Sequence, residues 1–302
     1  MSTKTALTNL AKKKYFTELP SLKVLSRPHD ERSEVTVYVK GFLAEGDSPE
    51  NFQDWMHSHR LLVLSSTHKW APSALGYSWP SGTAGSHIPI PLASLGSTAY
   101  LIAKNLKQLK NLRFPTPASI AGAVALDVGI HATRLAYQYG VANETSQDRA
   151  EMLAWRLLDL RRKYDYLRVV GHSLGCRHII PCTNKIVSFL FFIRPDSIHL
   201  CAPALVAPDI VNQIRKDTGG LGRIKTIIYH SKKDITLGIL LRAILKGEQS
   251  IGEIGLPDQV GFEKDWMDPT VTSVDVSKSL GGFYVGAHTD YAEKFHYFAK
   301  PF

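Results

Sequence analysis

Cysteine is scarce in this chain: Cys176, Cys182 and Cys201 are the three thiols in 302 residues. Three thiols build no disulfide framework, and no Cys-x-x-Cys spacing offers a metal site, so they read as reduced thiols in a cytosol-like compartment. Long hydrophobic runs are missing as well. Met1 to Pro20 carries lysines but no apolar core of signal-peptide length, which predicts cytoplasmic residence and leaves open a secretion route without a cleaved signal. The most apolar stretch, the first half of 118–139, is too short and interrupted to span a bilayer, with Asp127 inside it and His131 and Arg134 close behind. There are no internal repeats, no low-complexity tracts and no basic cluster interleaved with aromatic residues. The net charge of +9 is therefore read as a solvated basic surface, and no nucleic-acid partner is expected.

What is present has the composition of a soluble globular protein, 44% apolar and 21% charged, which excludes disorder and a membrane bundle. The length suffices to bury one substantial core. The chain is organised around Leu167-Arg168-Val169-Val170 running into Gly171-His172-Ser173-Leu174-Gly175. A β-type apolar run, Gly-x-Ser-x-Gly and a helix-forming segment are the sequence form of a nucleophile elbow, a turn that strains the serine backbone and exposes its Oγ. Gly171 and Gly175 are needed where strand and helix backbones nearly touch. The following helix aims unpaired N–H groups and a positive dipole end at the serine, favouring a developing oxyanion. The bland alternative is an ordinary Gly-rich strand-to-helix turn.

Around this stretch, strand patterns alternate with helical ones. Val35–Val39 is rich in β-branched residues and reads as the first strong strand, with Leu22–Ser26 as an edge strand before it. Further strands are expected at 74–79, 197–202, 224–230 and 271–276. Helical periodicity falls on 51–59, 98–111, 118–139, 143–164 and 176–192, with Thr145 or Ser146 capping the fourth. Such alternation implies right-handed crossovers and an α/β fold whose mostly parallel central sheet is covered by helices. The expected layout is a basic arm over 1–33 and one domain over 34–302, with 83–142 as a helical, cap-like insertion before the serine strand. Residues 118–139 read as a buried helix of that insertion or as a lid touching lipid, and the two are compatible.

A serine hydroxyl is a weak nucleophile until a histidine takes its proton and a carboxylate orients that histidine. On such a sheet the order is serine, acid, histidine. Asp234 closes the short polar loop after the 224–230 strand and is the favoured acid, although it would equally cap a following helix; Asp196, Asp209 and Asp258 are rivals. His288, in Gly286-Ala287-His288-Thr289-Asp290-Tyr291, is expected in a loop after the last strand, with His296 as fallback. His172 and His178 lie too close to the serine in sequence to swing onto it, and His199 and His230 read as structural. Cys176 should be small, buried and turned away. The oxyanion donors are expected from Phe42, with Leu43 the near alternative, and from Leu174. Asp54, His57 and His59 share a helical stretch, but two residues on a helix diverge by about 200°, so no metal is assigned.

Val-Tyr-Val-Lys-Gly-Phe (37–42), Tyr-Ser-Trp-Pro-Ser-Gly (77–82), Gly-His-Ser-Leu-Gly (171–175), Tyr-His-Ser-Lys-Lys-Asp (229–234) and Gly-Ala-His-Thr-Asp-Tyr (286–291) follow one another in the order found in the α/β-hydrolase superfamily. The chain resembles that superfamily over about 35–295, in particular its lipase-like serine hydrolase families of unknown function. The resemblance implies Ser173 as nucleophile, Asp234 as acid and His288 as base. Two departures stand out: Lys40 replaces the histidine that many relatives carry before the oxyanion glycine, and the stretch between Gly82 and Asn143 is unusually long. The expected activity is ester hydrolysis, of lipid or acyl esters, through an acyl-enzyme and with no cofactor. An acyltransferase or thioesterase would use the same groups, and a non-catalytic binding or scaffold module is the reading from another class. Peripheral membrane contact through 118–139 and the basic surface would be compatible with each.

Overall fold

The computed structural model describes residues 19–27, 33–42, 48–65, 70–82, 138–146, 149–180, 194–215, 221–234, 236–242, 247–256, 267–280 and 285–299. The helices expected at 98–111 and over most of 118–139, together with Leu43, Asp258, Cys182 and most of the 83–142 insertion, lie outside the described residues.

Seven strands form one sheet: β1 (Ser21–Ser26), β2 (Glu34–Val39), β3 (Ala74–Ser78), β4 (Tyr166–His172), β5 (Ser197–Cys201), β6 (Lys225–His230) and β7 (Val271–Asp275). They lie in the order β1-β3-β2-β4-β5-β6-β7. β1 is antiparallel to β3, and every other neighbouring pair is parallel. The central strands are buried along nearly their whole length, which is why they read as continuous β-branched and apolar runs. β1 pairs with β3, so the edge strand expected at Leu22–Ser26 joins the sheet.

The two ends of the sheet differ in chemistry. At the amino ends of β4 and β5, Asp196 is fully buried and accepts hydrogen bonds from Leu167 N (2.8 Å), Arg161 Nη1 (2.6 Å) and Arg223 Nε (2.7 Å). Arg168, also buried, pairs with Glu34 and stacks its guanidinium 3.8 Å from the Trp70 ring centroid. At the carboxyl ends the register aligns Val39 with Gly171, His172 with Cys201, Cys201 with Tyr229, and His230 with Asp275. The loops that leave this rim therefore converge.

Helix α1 (Gln53–Leu64) runs past the expected end at His59. Helix α2 covers 138–146 and α3 spans Ala150–Arg161. Thr145 and Ser146 do not cap α3. Their hydroxyls instead donate to Val141 O (2.9 Å) and Asn143 O (2.7 Å) within α2, the back-bonding that competes with a capping role. Helix α4 begins at Leu174 and is described to residue 180. Helix α5 (Val285–Phe298) packs on α1: Ser58 Oγ donates to Ala292 O at 2.7 Å, and Phe295 sits edge-on to Trp55 with ring centroids 5.6 Å apart. Phe295 also meets Trp70 and His199, which ties α5 to the sheet.

Candidate active site

Ser173 follows β4 directly, with φ of 55°. That left-handed conformation is costly for a residue with a Cβ and is held only where the surroundings over-determine it. Here they do. Ser173 N donates to Cys201 O (3.0 Å), while its carbonyl accepts from Cys176 N (3.1 Å) and Ala204 N (3.2 Å). The glycines explain how the turn fits. A Cβ on Gly175 would stand 2.3 Å from Val39 O, and one on Gly171 would stand 2.5 Å from Ile179 Cδ1. A Cβ on Gly41 would lie 2.7 Å from Ser173 Cβ and 3.2 Å from Leu174 N, so the chain leaving β2 runs hard against the serine turn.

Leu174 opens α4, and its N–H, in the first turn, has no intrahelical acceptor. Phe42, just past Gly41, is partly buried with its ring 5.4 Å from that of Tyr139. Lys40 turns away from the turn: Nζ donates to Asn51 O at 3.0 Å and lies over the Phe52 ring, while its carbonyl accepts from Trp79 Nε1 at 2.7 Å.

Asp234 and His288 are brought together. Asp234 Oδ2 lies 2.6 Å from His288 Nδ1, and both side chains are buried. A carboxylate accepts, so Nδ1 carries the proton and Nε2 presents a lone pair. The other oxygen, Oδ1, accepts from Leu237 N at 3.1 Å. The two roles weighed for Asp234 are thus compatible, one oxygen per role. His288 is not in a loop: it stands in the first turn of α5, so packing of that helix on α1 fixes its backbone.

His172 bridges the two halves. Its ring lies 4.6 Å, centroid to centroid, from that of His288, and Nε2 donates to His288 O at 2.9 Å. Burial, and then the neighbouring His288, push its pKa well below the usual histidine range, so it is a neutral donor. His288 is thereby anchored to the residue preceding Ser173. Among the described residues no direct hydrogen bond joins the Ser173 hydroxyl to the His288 ring.

The rival groups are spent elsewhere. Asp196 clamps the opposite end of the sheet, and Asp209 pairs with Arg177 at 2.5 Å. His296 meets Ser58 Oγ at 3.1 Å. His178 stacks on Trp79, and His199 bonds the Tyr229 hydroxyl at 3.0 Å. Cys176 is fully buried, its Sγ 3.5 Å from Cys201 O, and burial pushes its thiol up, which leaves it a poor nucleophile. The members of the Asp54, His57 and His59 stretch diverge: His59 is buried against Tyr38 Oη (2.9 Å), while Asp54 and His57 are exposed. Tyr139, whose hydroxyl lies near Ser173, carried no signal in the sequence, being one tyrosine in a long helical pattern.

No family model matches the chain, and no curated protein matches it. Solved structures do superpose on it. Esterase PE8 is 13% identical, with 91% of this chain and 97% of that one covered and a TM-score of 0.40. An inhibited esterase B from Lactobacillus rhamnosis is 8% identical (97% and 86% covered, TM-score 0.37). Zea mays acyl-protein thioesterase 2 is 12% identical (91% and 96% covered, TM-score 0.35). At such identities and scores no activity transfers from them. By its own strand order and alternation of strands with helices, the chain has the α/β-hydrolase fold.

Proposed function

We propose that this protein is a serine hydrolase that cleaves carboxylic esters, of the lipid or acyl class, with Ser173 as nucleophile, His288 as base and Asp234 as acid. The observation that carries the reading is the 2.6 Å bond from Asp234 to His288 Nδ1, with His172 fastening that histidine beside a serine held at φ 55°. His288 Nε2 takes the proton as Ser173 Oγ attacks the ester carbonyl, and Asp234 stabilises the imidazolium. The amides of Phe42 and Leu174 receive the oxyanion. The leaving alcohol departs with the proton from His288, and water activated by the same nitrogen releases the acid from the acyl-enzyme. An acyltransferase or thioesterase would share these steps up to the acyl-enzyme. The chemistry needs no metal or cofactor.

Labelling with a fluorophosphonate tests this directly: the wild type should label and Ser173→Ala should not. Turnover of nitrophenyl esters should fall by several orders of magnitude in Ser173→Ala. An unlabelled wild type would instead support a binding or scaffold module. Nitrophenyl esters of graded chain length then separate small-ester from lipid preference.

A further inference from the structure

Tyr139 has no part in the steps above. It sits in α2, 2% exposed, its ring edge-on to Phe42. Its hydroxyl is fully buried, yet among the described residues it has no hydrogen-bond partner. It interacts with the Ser173 hydroxyl, and it also feels Arg177, Asp234 and Cys176. Burial pushes its phenol up, so it holds its proton and acts as a donor. A buried phenol whose polar neighbour among the described residues is the nucleophile itself is placed to bond an acceptor that arrives with the substrate. Tyr291 is likewise buried and unpartnered, but it packs against Phe298 and His172 and has no interaction with Ser173.

We propose that the Tyr139 hydroxyl is a third donor to the oxyanion, alongside the Phe42 and Leu174 amides; this rests on the serine-hydrolase reading. When Ser173 Oγ bonds the carbonyl carbon, its proton passes to His288 and the carbonyl π pair moves onto oxygen. Tyr139 shares its proton with that oxygen without transferring it, and the bond weakens again when the pair returns and the leaving group departs. The edge-on contact with Phe42 couples the position of the phenol to the residue that supplies the first amide.

Tyr139→Phe removes one oxygen atom and leaves the ring packing. The expected result is a fall in kcat of about 100-fold with KM changed by less than about threefold, as for the loss of one preorganised donor. Affinity for a boronic acid that mimics the tetrahedral adduct should fall by the same factor as kcat/KM. Tm should hold or rise, since among the described residues the deleted hydroxyl makes no well-formed hydrogen bond. Wild-type kcat in Tyr139→Phe overturns the proposal, as does a loss of activity with unchanged boronate affinity. Fluorophosphonate labelling of wild type alongside keeps the two claims apart: labelling with full Tyr139→Phe turnover removes this proposal alone, whereas no labelling removes the serine-hydrolase reading as well.

Discussion

Single atoms decide what the site can do. The two oxygens of Asp234 do separate work, and two variants should separate them. Asp234→Asn keeps an oxygen for Leu237 N and should leave stability almost unchanged while kcat collapses. Asp234→Ala should lose activity equally and destabilise by about 1 kcal/mol more, the usual worth of a cap. Chemical denaturation with steady-state kinetics on both variants checks this; equal stability would show that the Oδ1 contact is idle. Gly41 is the second sharp case. A methyl there would meet Ser173 Cβ at 2.7 Å and His172 O at 2.8 Å, so the serine turn must shift. Gly41→Ala should cut kcat at least about 100-fold, because small displacements of reacting groups are that costly, and retained activity would show that the turn has slack. The motifs at 37–42, 171–175 and 229–234 were legible because glycine and acidic loop residues mark places where backbone geometry leaves few choices. Tyr139 was not, since a buried aromatic on a helix looks the same whether it fills a core or faces a reactant.

Among the elements, strands were read better than helices. β2, β4 and β6 are buried on both faces, and burial leaves the β-branched and apolar runs that sequence shows directly. Helix boundaries depend on hydrogen bonds that composition does not reveal. Thr145 and Ser146 looked like caps, yet their hydroxyls bond backwards into α2. His288 was expected in a loop because Gly281, Gly282 and Gly286 lead up to it, but it stands in α5, which packs on α1 some 230 residues away. The division of the sheet into a clamped end and an end that carries Ser173, Asp234 and His288 also makes a prediction. Asp196→Ala leaves two guanidinium groups and the Leu167 N–H without their shared acceptor. It should destabilise by about 3 kcal/mol or more, the usual consequence of breaking a buried pair. The kcat of the protein that stays folded should match wild type. A thermal melt paired with active-site titration decides it, and a lowered kcat per active site would mean that the two ends are coupled.

Across the whole molecule, several imidazoles among the described residues are buried. His59, His172, His178 and His199 are all held below the ordinary histidine range, chiefly by burial, His59 at about 4 and His178 at about 3. Above the unfolded value of about 6.5 both folded and unfolded chains hold these rings neutral, and stability is level with pH. Below it the unfolded chain takes up protons that the folded one refuses, so stability declines as pH falls, down to the folded values. His59 alone accounts for roughly 3 kcal/mol over that window. The denaturation midpoint should therefore hold steady from pH 8 to about 7 and drop steeply towards 5. His178→Gln should make the slope shallower by about one proton, and a midpoint flat down to pH 5 would refute the account.

The clasp between α1 and α5 also bears on how the protein is born. A ribosome delivers Gly41, then Ser173, then Asp234, and His288 only afterwards. A nascent chain can therefore close its sheet and bend its serine into place while the proposed proton acceptor is still inside the exit tunnel. On the proposed mechanism chemistry begins when α5 docks, so an arrested chain that stops short of that helix should be shaped yet inert.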